Sequence, residues 1–168
     1  RSVHFTADPE RALAAVDAVL IAIPSEHLLG ALIPLTPWLT SPDLPVCSSV
    51  KGFLDDQLRR VSQGLPEVLG PHPYATLSGP NLAREVLRGD PSVSVGASDS
   101  EATIDVFRGF FGSATFRLYG SRDVTGVELG GAVKNILAIA AGIASAVGFG
   151  MNTQAALLSR GMAEMTQL

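Results

Sequence analysis

The chain has 168 residues, the size of one domain or of one domain with part of a second. Hydrophobic residues make up 46% of it and charged residues 17%, which is enough apolar material for a core and excludes a disordered chain. The formal net charge of −4 removes the general electrostatic case for nucleic-acid binding, although a few local cations can still bind a small anion.

Short β-type runs alternate with helical patterns over the first two-thirds of the chain. Asp8 and Pro9 are typical of the N-cap and the first residue of a helix, and they follow a brief extended run at residues 3–5. The apolar run 18–23 is typical of a strand that is buried on both faces, as in a parallel sheet. In chain order we predict helices over residues 8–16, from residue 25, and over 55–63, 81–87 and 101–111, with strands at residues 18–23, 46–50, near 75–77, and at 93–97 and 116–119.

This alternation predicts a doubly wound α/β sheet of the Rossmann type. Ligands of such sheets bind beyond the carboxyl ends of the strands, so the segments that follow strands are the ones to examine. Glycine, proline and polar residues cluster in three of them, namely Pro24-Ser25, Lys51-Gly52 and Ser78-Gly79-Pro80-Asn81. The sequence therefore predicts a ligand site along this edge.

The strand–helix rhythm ends at about Ser121. Two helical stretches follow, over residues 123–147 and 152–168, and no further strand is predicted. We therefore predict an α/β domain over residues 1–121 and the first helices of an all-α domain over residues 122–168. The chain starts at Arg1 without an initiator Met and stops inside a helical pattern, so we expect both ends to be cut.

Two features bear on the cellular compartment. Cys47 is the only cysteine, so no disulfide can form within the chain, which suits a reducing cytoplasm, and we expect it to be a buried core thiol. The stretch 124–147 has the length and apolar character of a membrane span. It carries Glu128, Lys134 and Asn135, however, and charged groups near a bilayer centre are costly, so we expect a buried helix of a soluble protein.

The predicted helix around Lys134 has two unlike faces. The face that contains Lys134 is lined by small residues, whereas the opposite face is largely bulky and predicts a packed stripe. The first face holds Val127, Gly130, Gly131, Ala138, Ala141 and Ser145, and the second holds Leu129, Ala132, Ile136, Ile139, Ile143 and Val147. A lysine that is surrounded by small side chains can act as a general acid or base once its pKa is lowered by desolvation or by a nearby cation. Alternatively, the small residues let another element approach and Lys134 reaches solvent.

Four blocks of the sequence occur together in a known family. They are SVKG at residues 49–52, LSGPNLAREV at 77–86, GGAVKNILAIAAG at 130–142, and GFGMNTQAAL with SRGMAEM at 148–157 and 159–165. In this order they resemble the NAD(P)-dependent glycerol-3-phosphate dehydrogenase family over nearly the whole chain. Ser145 and Gln154 depart from the residues common in that family, which bears on the subfamily rather than on the chemistry.

The resemblance implies roles for seven residues. Lys134 matches the family's catalytic lysine. Lys51, Gly79, Asn81 and Asn135 match substrate-binding positions, and Pro24, Lys51 and Ala83 match cofactor-binding positions. Purely structural explanations also exist for the loop residues, because Gly79 with Pro80 would form a turn in any protein and Pro24 would end any strand.

The resemblance also implies a function. The complete enzyme would transfer hydride between sn-glycerol 3-phosphate or dihydroxyacetone phosphate and NAD or NADP, without a metal, as a cytoplasmic homodimer that supplies glycerol 3-phosphate for glycerophospholipid synthesis. No glycine-rich G-x-G-x-x-G turn follows a first strand in this sequence, so we expect the N-terminal strand and that loop to be missing and the chain alone to be inactive. The alternatives are another two-domain dehydrogenase, acting on a β-hydroxyacid or a ketopantoate-like substrate, and a non-catalytic nucleotide-sensing domain.

Overall fold

A computed structural model describes residues 3–168, and a mixed five-stranded sheet forms its centre. The strands are β1 (Val19–Ile21), β2 (Val46–Ser48), β3 (Tyr74–Ser78), β4 (Ser92–Ala97) and β5 (Phe116–Ser121), and they lie in this order across the sheet. The first three strands are parallel, β4 runs antiparallel to β3, and β5 is parallel to β4. The predicted Rossmann-type α/β sheet is confirmed, and the reversal at β4 is a feature that the strand–helix alternation did not predict.

Seven α-helices accompany the strands over the described residues. They are α1 (Pro9–Leu13), α2 (Leu28–Leu32), α3 (Val61–Leu69), α4 (Ala83–Arg88), α5 (Glu101–Phe111), α6 (Val124–Ala146) and α7 (Met151–Met165). Short 3₁₀ segments, Ser25–His27 and Ile33–Trp38, flank α2. The extended run predicted at residues 3–5 forms no strand and is exposed.

Alternating side chains of the strands form two cores, one on each face of the sheet. Val46 packs with Leu28 of α2 and Leu65 of α3 on one face. Cys47 and Ala75 pack with Phe107 of α5 on the other face. Cys47 is 1% exposed, and burial raises the pKa of its thiol to about 12, which confirms a buried, unreactive cysteine.

Side-chain caps explain where three of the helices begin. The Asp8 carboxylate accepts hydrogen bonds from the backbone N–H groups of Glu10 and Arg11 at the start of α1. Ser100 likewise caps α5 through the Thr103 N–H, and Asp123 caps α6 through the Gly126 N–H. Helix α1 ends before the predicted residue 16, because Ala15 has a φ of +54°.

The helix predicted over residues 55–63 is wrong. The Asp55 carboxylate accepts hydrogen bonds from the N–H groups of Gln57 and Arg59, which closes a turn that competes with a helix. Leu58 has a φ of +57°, which a helix does not allow. The helix therefore starts only after Arg60, at Val61.

Two burial predictions also fail. Leu20 of β1 is 48% exposed, so this strand is not covered on both faces within the described residues. The bulky stripe of α6 is not packed either: Ile136, Ile139 and Ile143 are each at least 60% exposed. Periodicity identified the apolar face correctly, but it gave no information on whether another element covers that face.

Helix α6 lies on the sheet with its first turns. Near the start of α6, Glu128 contacts Tyr74 at the beginning of β3, and Gly131 faces Ser78 at the end of β3. The helix therefore runs along β3 toward the carboxyl end of that strand. It is the one helix among residues 3–168 whose length and composition would allow it to cross a membrane, with a mean hydropathy of 1.5 over its most apolar window.

Candidate active site

Loops from two parallel strands meet at the predicted edge of the sheet. Pro24 follows β1 and precedes the 3₁₀ segment that begins at Ser25, whereas Gly52 lies in the loop that follows β2. Gly52 has a φ of +152°, and a Cβ built on it would lie 2.8 Å from the Ser25 hydroxyl. A glycine is required here both for this backbone conformation and for the close approach of the two loops.

Helix α6 brings Lys134 to the same edge. A Cβ built on Gly131, one turn before Lys134, would lie 3.0 Å from the Ser78 hydroxyl at the end of β3 and 3.8 Å from the Cγ atom of Lys51. The stem of Lys51 therefore lies against the helix at a residue that has no side chain. This geometry favours the explanation that small residues on α6 admit a neighbouring element, and that element carries the second lysine.

The charge of Lys134 acts on the ammonium group of Lys51. The pKa of Lys51 is lowered, first because partial burial disfavours its charged form and second because Lys134 is positively charged. These two are the only lysines in the sequence, and the other ten cationic residues are arginines. Arginine stays protonated in proteins, so the chain places both of its titratable ammonium groups at one site. A bound anion would relieve their repulsion.

The loop after β3 packs closely on β4. A Cβ built on Gly79 would lie 2.6 Å from the Ser94 hydroxyl and 2.8 Å from the Val93 carbonyl oxygen, so the approach requires glycine. The Asn81 amide donates to the Val93 carbonyl oxygen at 3.1 Å, and its oxygen accepts from the Ser94 hydroxyl. Asn81 therefore has a structural task of its own, and its predicted contact with substrate stays a prediction.

Two other predicted residues lie on helices and are exposed. Ala83 is the first residue of α4, and Asn135 follows Lys134 on α6. Their predicted roles stay predictions as well. No group of three or more His, Cys, Asp or Glu side chains within residues 3–168 is placed to hold a metal ion.

The sequence analysis assigned no individual role in the site to two residues that shape it. Ser78 ends β3 and faces Gly131. Glu128 is 8% exposed and connects α6 to both β3 and α3. A carboxylate in a largely apolar helix was the available signal for Glu128.

These features define an α/β protein of the Rossmann type in which a helix that follows the sheet carries a lysine to the carboxyl ends of the strands. Two family models match the chain. The model described as the N-terminus of NAD-dependent glycerol-3-phosphate dehydrogenase matches residues 1–104, and the model described as its C-terminus matches residues 123–168. The chain belongs to this family.

Relatives and solved structures agree with this assignment. The chain is 43% identical to the glycerol-3-phosphate dehydrogenase [NAD(P)+] of Oleidesulfovibrio alaskensis over 99% of its own length and 51% of that protein's. The corresponding protein of Parafrankia is 41% identical over 99% and 50%. The crystal structure of the Coxiella burnetii glycerol-3-phosphate dehydrogenase superimposes with a TM-score of 0.86 and 33% identity, over 95% of this chain and 48% of that one. The chain thus spans about half the length of the relatives it matches.

The fold is also found in proteins outside this family. A pyrroline-5-carboxylate reductase from Coxiella burnetii has a TM-score of 0.59 at 12% identity. This likeness shows that the sheet with its following helices is shared more widely than the glycerol-3-phosphate dehydrogenase family.

Neighbouring glycines of α6 provide a matched test of the close contact at Gly131. Alanine in a helix interior is favoured over glycine by about 0.8–1.0 kcal/mol. We expect Gly130→Ala to raise the free energy of unfolding by up to about that amount, since the new methyl group would meet no described atom within 4 Å apart from its chain neighbours and the backbone of its own helix. Gly131→Ala should stabilise less or destabilise, because the Ser78 hydroxyl must move. Denaturant titration measures the difference, and equal gains for both variants would contradict the contact.

The lowered pKa of Lys51 gives a second test. In a Lys134→Met variant the pKa of Lys51 should rise, but it should stay below its ordinary value of 10.5, because burial is the larger cause. NMR titration of ¹³C-methylated lysines, with the Lys51 signal assigned through Lys51→Arg, measures the change. A lysine with a lowered pKa in the folded state makes stability rise with pH between that pKa and 10.5, and this rise should become smaller in the variant. An unchanged Lys51 titration would show that the two charges do not interact.

Proposed function

We propose that the protein containing this chain is a glycerol-3-phosphate dehydrogenase that interconverts sn-glycerol 3-phosphate and dihydroxyacetone phosphate with NAD or NADP. The observation that carries this proposal is the meeting of Lys51 and Lys134 at the carboxyl ends of the parallel strands, in a chain of this family. Two ammonium groups at one site suit a substrate that has both a phosphate and a reacting oxygen. The names of the relatives support the same reaction.

In this mechanism Lys134 handles the proton of the reacting oxygen. In oxidation its neutral amine takes the proton of the C2 hydroxyl, and in reduction its ammonium polarises the C2 carbonyl and donates the proton. The nicotinamide, when bound, supplies or accepts the hydride. Lys51 offsets negative charge on the substrate and contacts the cofactor, while Gly79, Asn81 and Asn135 hold the substrate. Pro24 and Ala83 contact the cofactor.

The described residues fit the reacting end of the cofactor. Lys51 and Lys134 place positive charge at this edge, and glycines there let the loops and α6 approach one another closely. Residues 1–121 form part of the nucleotide-binding domain and residues 122–168 the first helices of the substrate domain, with the boundary just after β5 ends at Ser121. The whole protein acts as a cytoplasmic homodimer that supplies glycerol 3-phosphate to glycerophospholipid synthesis.

The role of Lys134 is tested by substitution in the full-length protein. Lys134→Ala should lower kcat by roughly 10²–10⁴-fold, the usual contribution of a positioned acid/base, with little change in the Kd of NADH or NADPH. Steady-state kinetics and fluorescence titration of the reduced cofactor measure both quantities. A variant that keeps more than about a tenth of the wild-type kcat would remove Lys134 from the chemistry.

The role of Lys51 is tested separately. Lys51→Met should raise KM for the phosphorylated substrate, because it removes the ammonium group that offsets the negative charge of the substrate. The side chain is only partly buried and is repelled by Lys134, so the free energy of unfolding should change by no more than about 0.5 kcal/mol. Lys51→Arg is the control that keeps the charge. A Lys51→Met variant with normal KM and early melting would mark Lys51 as structural.

A further inference from the structure

Glu128 is a buried carboxylate whose hydrogen-bonding capacity is fully used. One carboxylate oxygen, Oε1, accepts from the Tyr74 hydroxyl at 2.9 Å and from the Ser62 backbone N–H at 2.9 Å. The other oxygen, Oε2, accepts from the Ser62 hydroxyl at 2.6 Å and from the Arg60 guanidinium at 3.2 Å. A carboxylate has about four lone-pair positions, and donors occupy all four.

The four donors belong to three residues, which lie in two elements of the fold. Tyr74 begins β3, Arg60 is the N-cap of α3, and Ser62 lies in the first turn of α3. The Ser62 N–H has no carbonyl partner within its own helix, and the positive end of the helix dipole favours a carboxylate at this point. Burial and Glu128 also raise the pKa of Tyr74, so its phenol remains a donor at neutral pH. Glu128 thus joins α6 to a strand and to a second helix at once.

This joint determines where Lys134 lies. Gly131 follows Glu128 by one turn and faces Ser78 and Lys51, and Lys134 follows by one more turn. Six helical residues span about 9 Å, so Lys134 is held at a set distance from the anchor. Beyond Gly131 the outer face of α6 is exposed at Ile136, Ile139 and Ile143, so that side of the helix is not held by packing within the described residues. Sliding or rotating α6 would break four hydrogen bonds to a buried charge.

We propose that Glu128 is a positioning residue for Lys134: it fixes the translation and rotation of α6, and thereby the place of the Lys134 ammonium beside Lys51. The proposal rests on the proposed function, in which Lys134 is the acid/base. A displacement of a reacting group by about 1 Å can lower a rate by roughly 10²-fold. Weakening the hydrogen bonds of Glu128 should therefore lower kcat.

A double-mutant cycle in the full-length protein tests the proposal. Glu128→Gln keeps the shape of the side chain but turns an amide toward two of the donors. It should lower kcat roughly 10–100-fold with the KM of NADH or NADPH unchanged. In the Lys134→Ala background the same change should lower kcat by less than about 2-fold, because there is no longer an ammonium to position. Loss of folded enzyme alone would lower both backgrounds equally.

Three further measurements separate positioning from a structural role. Glu67→Gln is the matched control, since Glu67 is 64% exposed on α3 and pairs with Arg59, and it should leave kcat unchanged. The primary isotope effect with glycerol 3-phosphate deuterated at C2 should increase in Glu128→Gln, because a misplaced acid/base slows the chemical step, whereas a reduced active fraction leaves it unchanged. Tyr74→Phe removes a single donor and should show a smaller loss with the same dependence on Lys134, which keeps the test available if Glu128→Gln folds poorly.

The outcomes are distinct. Equal losses of kcat in the wild-type and Lys134→Ala backgrounds, or no loss in the wild-type background, would overturn the positioning role of Glu128. A Lys134→Ala enzyme with nearly normal kcat would instead overturn the part of the proposed function in which Lys134 is the acid/base. The two failures are therefore told apart by the single variants before the double variant is compared.

Discussion

Glu128 places a negative charge where β3, α3 and α6 meet, and its surroundings are arranged to accept that charge. The cost of burying a carboxylate is offset only when its oxygens are well bonded, and here four donors bond them. The donor residues lie close together in the sequence, within residues 60–74. Glu128, which accepts their hydrogen bonds, follows them by more than fifty positions. The contact between the sheet and the helix that carries Lys134 depends on this arrangement.

The reversal of chain direction at β4 makes that contact possible. Because β4 runs antiparallel to β3 and β5 runs parallel to β4, the chain leaves β5 at the edge where β3 begins. Helix α6 then runs back along β3 and emerges at the carboxyl ends of the parallel strands. If β4 and β5 instead ran parallel to β3, the chain would leave β5 at the carboxyl ends of the parallel strands. Helix α6 would then begin at the ligand site and point away from it. The antiparallel pair is therefore the topological reason that a helix after the sheet can deliver a lysine to the site.

Local signals predicted most of the elements. The cap at Asp8 and the apolar runs of strand length located α1 and the strands to within a few residues, because both signals act over short distances along the chain. The error at residues 55–63 has the same origin, since the Asp55 side chain bonds to nearby backbone N–H groups and stabilises a turn that periodicity does not detect. The exposure of Leu20 and of the α6 stripe depends on which elements are neighbours, and periodicity does not contain that information.

The sequence by itself determined the alternation of elements, the family resemblance, and the two lysines to which that resemblance assigns a role, because residue type, spacing and order along the chain are enough for these. Only the tertiary structure decided that Lys51 lies against Gly131, that Lys134 lowers the pKa of Lys51, and that the Asn81 amide is bonded to β4. It also decided the partners of Glu128, which precede it by 54–68 positions. The reason is physical: a pKa shift and a buried hydrogen-bond network depend on distances between atoms that the fold, and not the order of residues, brings together.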